Sequence, residues 1–144
     1  MTDYFDGEWL RSCERYDPAT DAWEPLPSMP TGRSGSGVAM LDGKLWVAGG
    51  FNSEGGFGLA GDLATVEVFD PESNTWDQSK ADTIHRRWGP AVAVLDGELH
   101  AVGGVGDGET SAEKYDPRAD SWSAVPGMAL PEGWNCGASA VLMI

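Results

Sequence analysis

The residue types that carry most enzymatic and metal chemistry are scarce in this chain. Its 144 residues include two histidines, His85 and His100, and two cysteines, Cys13 and Cys136. The cysteines form no C-x-x-C pair and the histidines have no ligand spacing, so no metal site is expected. His85 stands beside Arg86 and Arg87 in a loop-like run, and His100 lies within an apolar segment. Ser and Asp are plentiful enough to leave a Ser-His-Asp grouping open, but no spacing favours one. Gly49-Gly50 and Gly103-Gly104 lack the Lys-Ser/Thr and following helix of a phosphate-binding P-loop. The expectation is no cofactor and no enzymatic activity. The cysteines read as small buried apolar residues of a reducing compartment.

Recognition chemistry is better supplied. Arg33 precedes Gly35 by two residues, Arg87 precedes Gly89 by two, and Asn135 precedes Gly137 by two. A guanidinium offers a planar fork of donors that suits carboxylate or phosphate. Such an arginine serves equally well as the partner of a neighbouring Asp or Glu, and both readings stand at this point. Trp88 and Trp134 flank this column, and Phe51 and Asn52 follow a double glycine, with Phe5 in the equivalent place upstream. A loop tryptophan is a typical binding anchor; the alternative is a cap on the rim of a sheet. Arg33, Arg87, Asn135, Phe5, Phe51, Asn52, Trp88 and Trp134 are therefore the candidate partner-binding residues. The glycine-rich run from Phe51 to Asp62 reads as a loop tip or an adaptable contact loop.

The elements that must hold these residues are repeated. Glu14-Arg15-Tyr16-Asp17-Pro18 with Trp23 recurs as Glu67-Val68-Phe69-Asp70-Pro71 with Trp76, and as Glu113-Lys114-Tyr115-Asp116-Pro117 with Trp122. A second line alternates with it. Val38-Ala39-Met40-Leu41-Asp42-Gly43-Lys44-Leu45-Trp46-Val47-Ala48-Gly49-Gly50 matches Val92-Ala93-Val94-Leu95-Asp96-Gly97-Glu98-Leu99-His100-Ala101-Val102-Gly103-Gly104. Self-similarity with a period near 50 residues marks a repeat architecture. Asp-Gly between apolar runs predicts a tight hairpin, because a type I′ turn needs positive φ at both central residues. Each unit then reads as four short strands, beginning near Val38, Leu45, Thr65 and Trp76, with the last outermost. No segment predicts a helix. The glycine pairs suit close approach of backbones, and Tyr16, Phe69, Tyr115, Trp23, Trp76 and Trp122 are expected to form the core between units.

These interlocked motifs resemble the kelch repeat, and within it the propeller of BTB-kelch (Kelch-like) proteins. The resemblance implies an all-β fold, a partial kelch β-propeller of about three of six blades, each a four-stranded antiparallel sheet, in an open ring. The units fall near residues 1–30 (partial), 31–80, 81–130 and 131–144 (partial). Such a half ring is expected to be a fragment of a longer protein, or to associate through its open edges, with itself or with the remaining blades. A ring made from two copies would leave the joint blade lacking its second strand.

The resemblance further implies a protein-interaction module binding a protein or peptide at the propeller mouth. There an arginine in the Arg33 and Arg87 column grips acidic peptides, and Asn135 departs from that pattern. The setting it implies is substrate recognition for a cullin-3 ubiquitin ligase, in the cytoplasm. The alternatives are a cytoskeletal (actin-associated) or scaffold kelch protein, a non-functional fragment, and a carbohydrate-active propeller. Some kelch-type propellers are copper radical oxidases, which need paired Tyr and His ligands; three tyrosines, two in the core column, do not supply that set. The net charge of −14 argues against nucleic-acid and anionic-membrane surfaces and favours basic partners at long range. No apolar run approaches a membrane span and no secretory leader is read at Met1 to Leu10.

Overall fold

The computed structural model describes residues 9–52, 61–128, 130 and 131. Phe5, Trp134, Asn135 and Cys136 lie outside the described residues. Ten strands run in chain order: β1 (Cys13–Asp17), β2 (Ala22–Leu26), β3 (Gly37–Leu41), β4 (Lys44–Ala48), β5 (Val66–Asp70), β6 (Thr75–Asp77), β7 (Ala91–Leu95), β8 (Glu98–Val102), β9 (Ala112–Asp116) and β10 (Ser121–Ala124). They form a β1–β2 pair and two four-stranded meanders, β3-β4-β5-β6 and β7-β8-β9-β10, all antiparallel. No helix occurs among the described residues. The architecture is the all-β, open, bladed arrangement that the repeats imply.

Turn chemistry fixes the registers. The β3–β4 and β7–β8 hairpins close on Asp42-Gly43 (φ 50° and 73°) and Asp96-Gly97 (φ 52° and 78°), the double positive φ of a type I′ turn. The Asp-Pro hairpins use a different device. The side-chain Oδ1 of Asp17, Asp70 and Asp116 accepts the N–H two residues on, at 2.8, 2.9 and 2.8 Å. Asp21, Asn74 and Asp120 then take left-handed φ of 54°, 56° and 46°. Asx residues tolerate both tasks.

The core sits at one joint. Ala39, Leu41, Trp46, Ala48, Val66 and Val68 of one meander face Val92, Leu99, Ala101, Tyr115 and Trp122 of the next, all buried. Alternation explains the selection. In β3, Gly37, Ala39 and Leu41 are buried while Val38 and Met40 are exposed. Gly37 is small because a Cβ there would overlap the Val92 side chain. Trp46 and Tyr115 meet across the joint with ring centroids 4.8 Å apart. Phe69 is buried too, and Trp76 half-buried.

Tyr16 and Trp23 correct the expectation of a uniform core column. They are 42% and 66% exposed. They keep the column's geometry, with ring centroids 5.3 Å apart against 5.2 Å for Phe69–Trp76 and 5.4 Å for Tyr115–Trp122. What differs is cover. Tyr115 and Trp122 face a preceding meander, whereas no described sheet packs over Tyr16 and Trp23. Position within a repeat sets which way a side chain points, and burial needs a neighbour as well.

Candidate functional site

The loops at one end of the sheets carry every described candidate. There the chain enters β3 and β7, and there it crosses from β4 to β5 and from β8 to β9. The two arginines turn inward. Arg87 is fully buried, with Nε and Nη2 each 2.8 Å from Glu113 Oε1. Its Nη1 donates to the carbonyls of Gly103 (2.6 Å), Gly108 (2.6 Å) and Ser111 (3.1 Å), and Nη2 donates to Ser111 Oγ (2.8 Å). Arg33 repeats the plan in the preceding meander. Its Nη1 donates to Gly49 O (2.8 Å) and Thr65 O (3.1 Å), and its Nη2 lies 3.0 Å from Glu67 Oε1. Burial pulls the Arg33 pKa down, and the Glu67 carboxylate opposes that shift.

Arg33 and Arg87 are therefore buried as internal braces of their own sheets, the pairing with a neighbouring Glu that their sequence also allowed. The physical reason is charge pairing. Glu67 on β5 and Glu113 on β9 are buried with about 1% exposure and require a cation. The brace also explains the double glycines. Gly49 (φ 68°) and Gly103 (φ 63°) present their carbonyls to the arginines, and a Cβ on Gly49 would come 2.5 Å from Arg87 O. A side chain at Gly108 would press into the Arg87 guanidinium. Asn52 is also buried and donates through Nδ2 to Gly32 O at 2.5 Å, tying the two loops of its unit together.

With the arginines inside, the exposed loop surface is aromatic and acidic. The 83–88 segment is stitched between the loops of both meanders. Arg87 N donates to Leu63 O (3.0 Å), Gly50 N donates to Arg87 O (2.8 Å), and Trp88 exchanges both backbone bonds with Val105 (2.8 and 2.7 Å). Trp88 is left 44% exposed on this rigid support, its indole lying over Gly35, where a Cβ would overlap it. Phe51 packs between Trp9 (5.4 Å) and Trp88 (5.8 Å), making an aromatic strip across three units. Ile84 adds an exposed apolar side chain to the same segment. Beside the strip, burial pushes the Asp62 carboxyl up, Asp107 adds to the rise and Arg86 opposes it.

The structure thus brings Phe51 and Trp88 together on the surface and places Arg33, Arg87 and Asn52 beneath it. Trp9 and Ile84 belong to this surface without having been singled out from sequence. Trp9 sits at no position shared with another aromatic, and Ile84 is a lone apolar residue in a polar run. Among the described residues, no cluster of His, Cys, Asp and Glu could hold a metal ion. His85 Nδ1 lies 3.7 Å from Glu113 Oε1, at the edge of the brace. A cleft of about 270 Å³ between the β1–β2 pair and the β5–β6 hairpin is lined by Arg15, Glu24, Pro25, Leu26, Phe69, Pro71 and Asn74, and Arg15 and Glu24 pair with each other. No described helix is long and apolar enough to cross a membrane.

Comparison with known proteins agrees with this architecture. Kelch-like protein 34 of Homo sapiens is 35% identical over 137 residues, covering 94% of this chain and 21% of that protein. Kelch repeat and BTB domain-containing protein 13 of Homo sapiens is 33% identical over 132 residues, covering 84% and 27%. Kelch-like protein 15 of Danio rerio is 42% identical over 76 residues, covering 53% and 12%. The chain spans between 12% and 27% of the length of these relatives. The solved structure of YjhT superposes with a TM-score of 0.61 at 20% identity, over 72% of this chain and 40% of that one, which speaks to the fold. The Kelch motif model matches residues 4–30, 32–79 and 86–129, and with three such matches over most of its length the chain belongs to the kelch-motif family.

Proposed function

We propose that this chain is a protein-interaction segment of a kelch propeller, with its ligand seated on the loop end at Trp88. The observation that carries this reading is the contrast between support and surface. Two buried Arg–Glu braces and a ladder of loop hydrogen bonds fix the backbone at 83–88, and Trp88 and Ile84 stand exposed on it. A rigid scaffold presenting an exposed aromatic is how loop-borne binding sites are built. The finer reading is a cytoplasmic substrate receptor for a cullin-3 ubiquitin ligase. It is supported by relatives named Kelch-like proteins and by one named for a BTB domain.

The test uses the chain immobilised as bait, with Trp88→Ala and Ile84→Ser as variants of equal melting temperature. A partner recovered by the wild type is purified and titrated against all three. Loss of affinity of roughly tenfold or more in Trp88→Ala supports the reading; unchanged affinity in both variants overturns it. Fusing the chain behind a BTB–BACK segment and following cullin-3-dependent ubiquitination of that partner tests the finer reading separately.

A further inference from the structure

Both joints between sheets in this molecule use one device. Trp76 Nε1 donates to Pro27 O at 2.8 Å, and Trp122 Nε1 donates to Ala81 O at 3.0 Å. In each case the tryptophan of a sheet's last strand reaches back to the loop that leaves the preceding sheet. Trp23 is the third member of the set. Its ring stands 66% exposed, and no described residue accepts from its indole N–H.

The acceptor half of the device is also present a third time. Val125-Pro126-Gly127-Met128 repeats Leu26-Pro27-Ser28-Met29, with Pro126 four residues after Trp122 as Pro27 is four after Trp23. Pro126, Gly127 and Met128 are exposed. The Pro126 carbonyl accepts no hydrogen bond among the described residues. Among the described residues, the first sheet therefore carries a donor without an acceptor, and the loop after the last an acceptor without a donor. Apolar side chains lie open beside each: Tyr16 against the donor ring and Met128 in the acceptor loop.

We propose that the chain self-associates head to tail, the Tyr16–Trp23 pair of one copy docking on the 126–128 loop of a second copy, with Trp23 Nε1 donating to the Pro126 carbonyl. The occupant is a second copy because the sequence supplies both halves of a joint that its two internal examples show to fit. The contact uses different surfaces on the two copies, so it is heterologous, and it closes or propagates according to the rotation it imposes. The acceptor loop lies beside the β8–β9 crossing, where Val125 N donates to Ala112 O and Leu130 N to Thr110 O.

The experiment is sedimentation velocity of the full chain over a wide concentration range, with Trp23→Ala and Met128→Glu. Both positions are exposed, so far-UV circular dichroism and melting temperature should match the wild type. The wild type should associate with rising concentration, and each variant alone should stay monomeric. Mixed one to one, the variants restore a single intact joint and should give a heterodimer and nothing larger. Trp23→Phe keeps the ring and removes the N–H, and should weaken association by roughly three- to tenfold, the worth of one hydrogen bond. A wild-type chain monomeric throughout overturns the proposal and assigns the Trp23 face to further kelch units of a longer polypeptide. Association of either variant at wild-type strength overturns it too, as does a folded pair of variants that fails to complement.

Discussion

Replacing Arg87 by alanine should show first as a loss of stability in this protein's second meander. The guanidinium lies fully buried and donates to Glu113, to three backbone carbonyls and to a serine hydroxyl. Removing one member of a buried ion pair costs about 3–5 kcal/mol, because the other charge stays behind without a partner. Glu113 keeps Ile84 N at 2.6 Å and a longer bond from His85 N at 3.4 Å, which favours the lower half of that range. Gly108 O still accepts from Ser111 N and Oγ, and Ser111 O from Gly103 N, so only Gly103 O is left without a donor, and that pushes the other way by about 1–3 kcal/mol where water does not replace the arginine. A loss of about 4 kcal/mol is a large part of the ~5–15 kcal/mol that holds a domain together, and at this size it lowers the melting temperature by about 8–16 °C. Urea denaturation and calorimetry of Arg87→Ala measure the loss directly. Arg33→Ala should cost less, because Arg33 makes two carbonyl bonds and one carboxylate contact. The double change Arg87→Met with Glu113→Leu should recover much of the loss, as apolar replacement of buried pairs does elsewhere. A melting temperature within about 2 °C of wild type for Arg87→Ala, combined with loss of a bound partner, would refute the reasoning and return Arg87 to the surface.

Four smaller predictions follow from separate features. Tyr115 is buried and donates to Asp120 Oδ1 at 2.6 Å, so burial first and Asp120 second push its phenol above the usual tyrosine range. A group whose pKa rises on folding loses its contribution as pH climbs above the unfolded value near 10. Stability measured by urea titration should fall over that alkaline window, and Tyr115→Phe should flatten the fall. Gly97→Ala should cost about 1–2 kcal/mol in chemical denaturation, since φ is 78° but nothing lies within 4 Å of the new methyl. Gly37→Ala should cost more by the same assay, through overlap with Val92 at the central joint. Trp76→Phe removes the bond to Pro27 O, worth about 1 kcal/mol, and should raise hydrogen exchange in β1 and β2 ahead of the meanders.

The fold was legible because its rules are local and repeated. Asp42-Gly43 and Asp96-Gly97 name their turn type, and alternation in Val38 to Leu41 names the buried face. The core column was legible in direction but not in cover, as Tyr16 and Trp23 show. The arginine column was harder. Each arginine and its glutamate belong to one unit, yet the stretch between Arg33 and Glu67 is longer than that between Arg87 and Glu113 because of the Phe51 to Asp62 insertion. No fixed spacing links them, so pairing with an acidic neighbour and binding at a surface stayed equally open. The signal that decides between them is compositional: a glutamate opens the third-strand motif at a place where alternation demands burial, and a buried carboxylate calls for a cation. Trp88 was legible as a loop aromatic outside the core column, whereas the support beneath it comes from backbone hydrogen bonds that no side-chain pattern records.

The two braces and the tryptophan joints divide the molecule's inheritance differently. Each brace is closed within its unit: Arg33 answers Glu67, and Arg87 answers Glu113. A gene duplication that copies one unit copies a finished brace, and neither sheet needs its neighbour to neutralise the charge. Each joint, by contrast, is written across a boundary, with the indole in one unit and the carbonyl in the one before. Because the acceptor is a main-chain atom, the earlier unit contributes position and no particular side chain; Pro27 and Ala81 serve equally. Units of this kind can be shuffled, inserted or deleted while their loop side chains diverge freely, provided the path of the loop survives. Diversity of ligands across such repeats is then a consequence of keeping charge accounts inside the unit and docking on backbone.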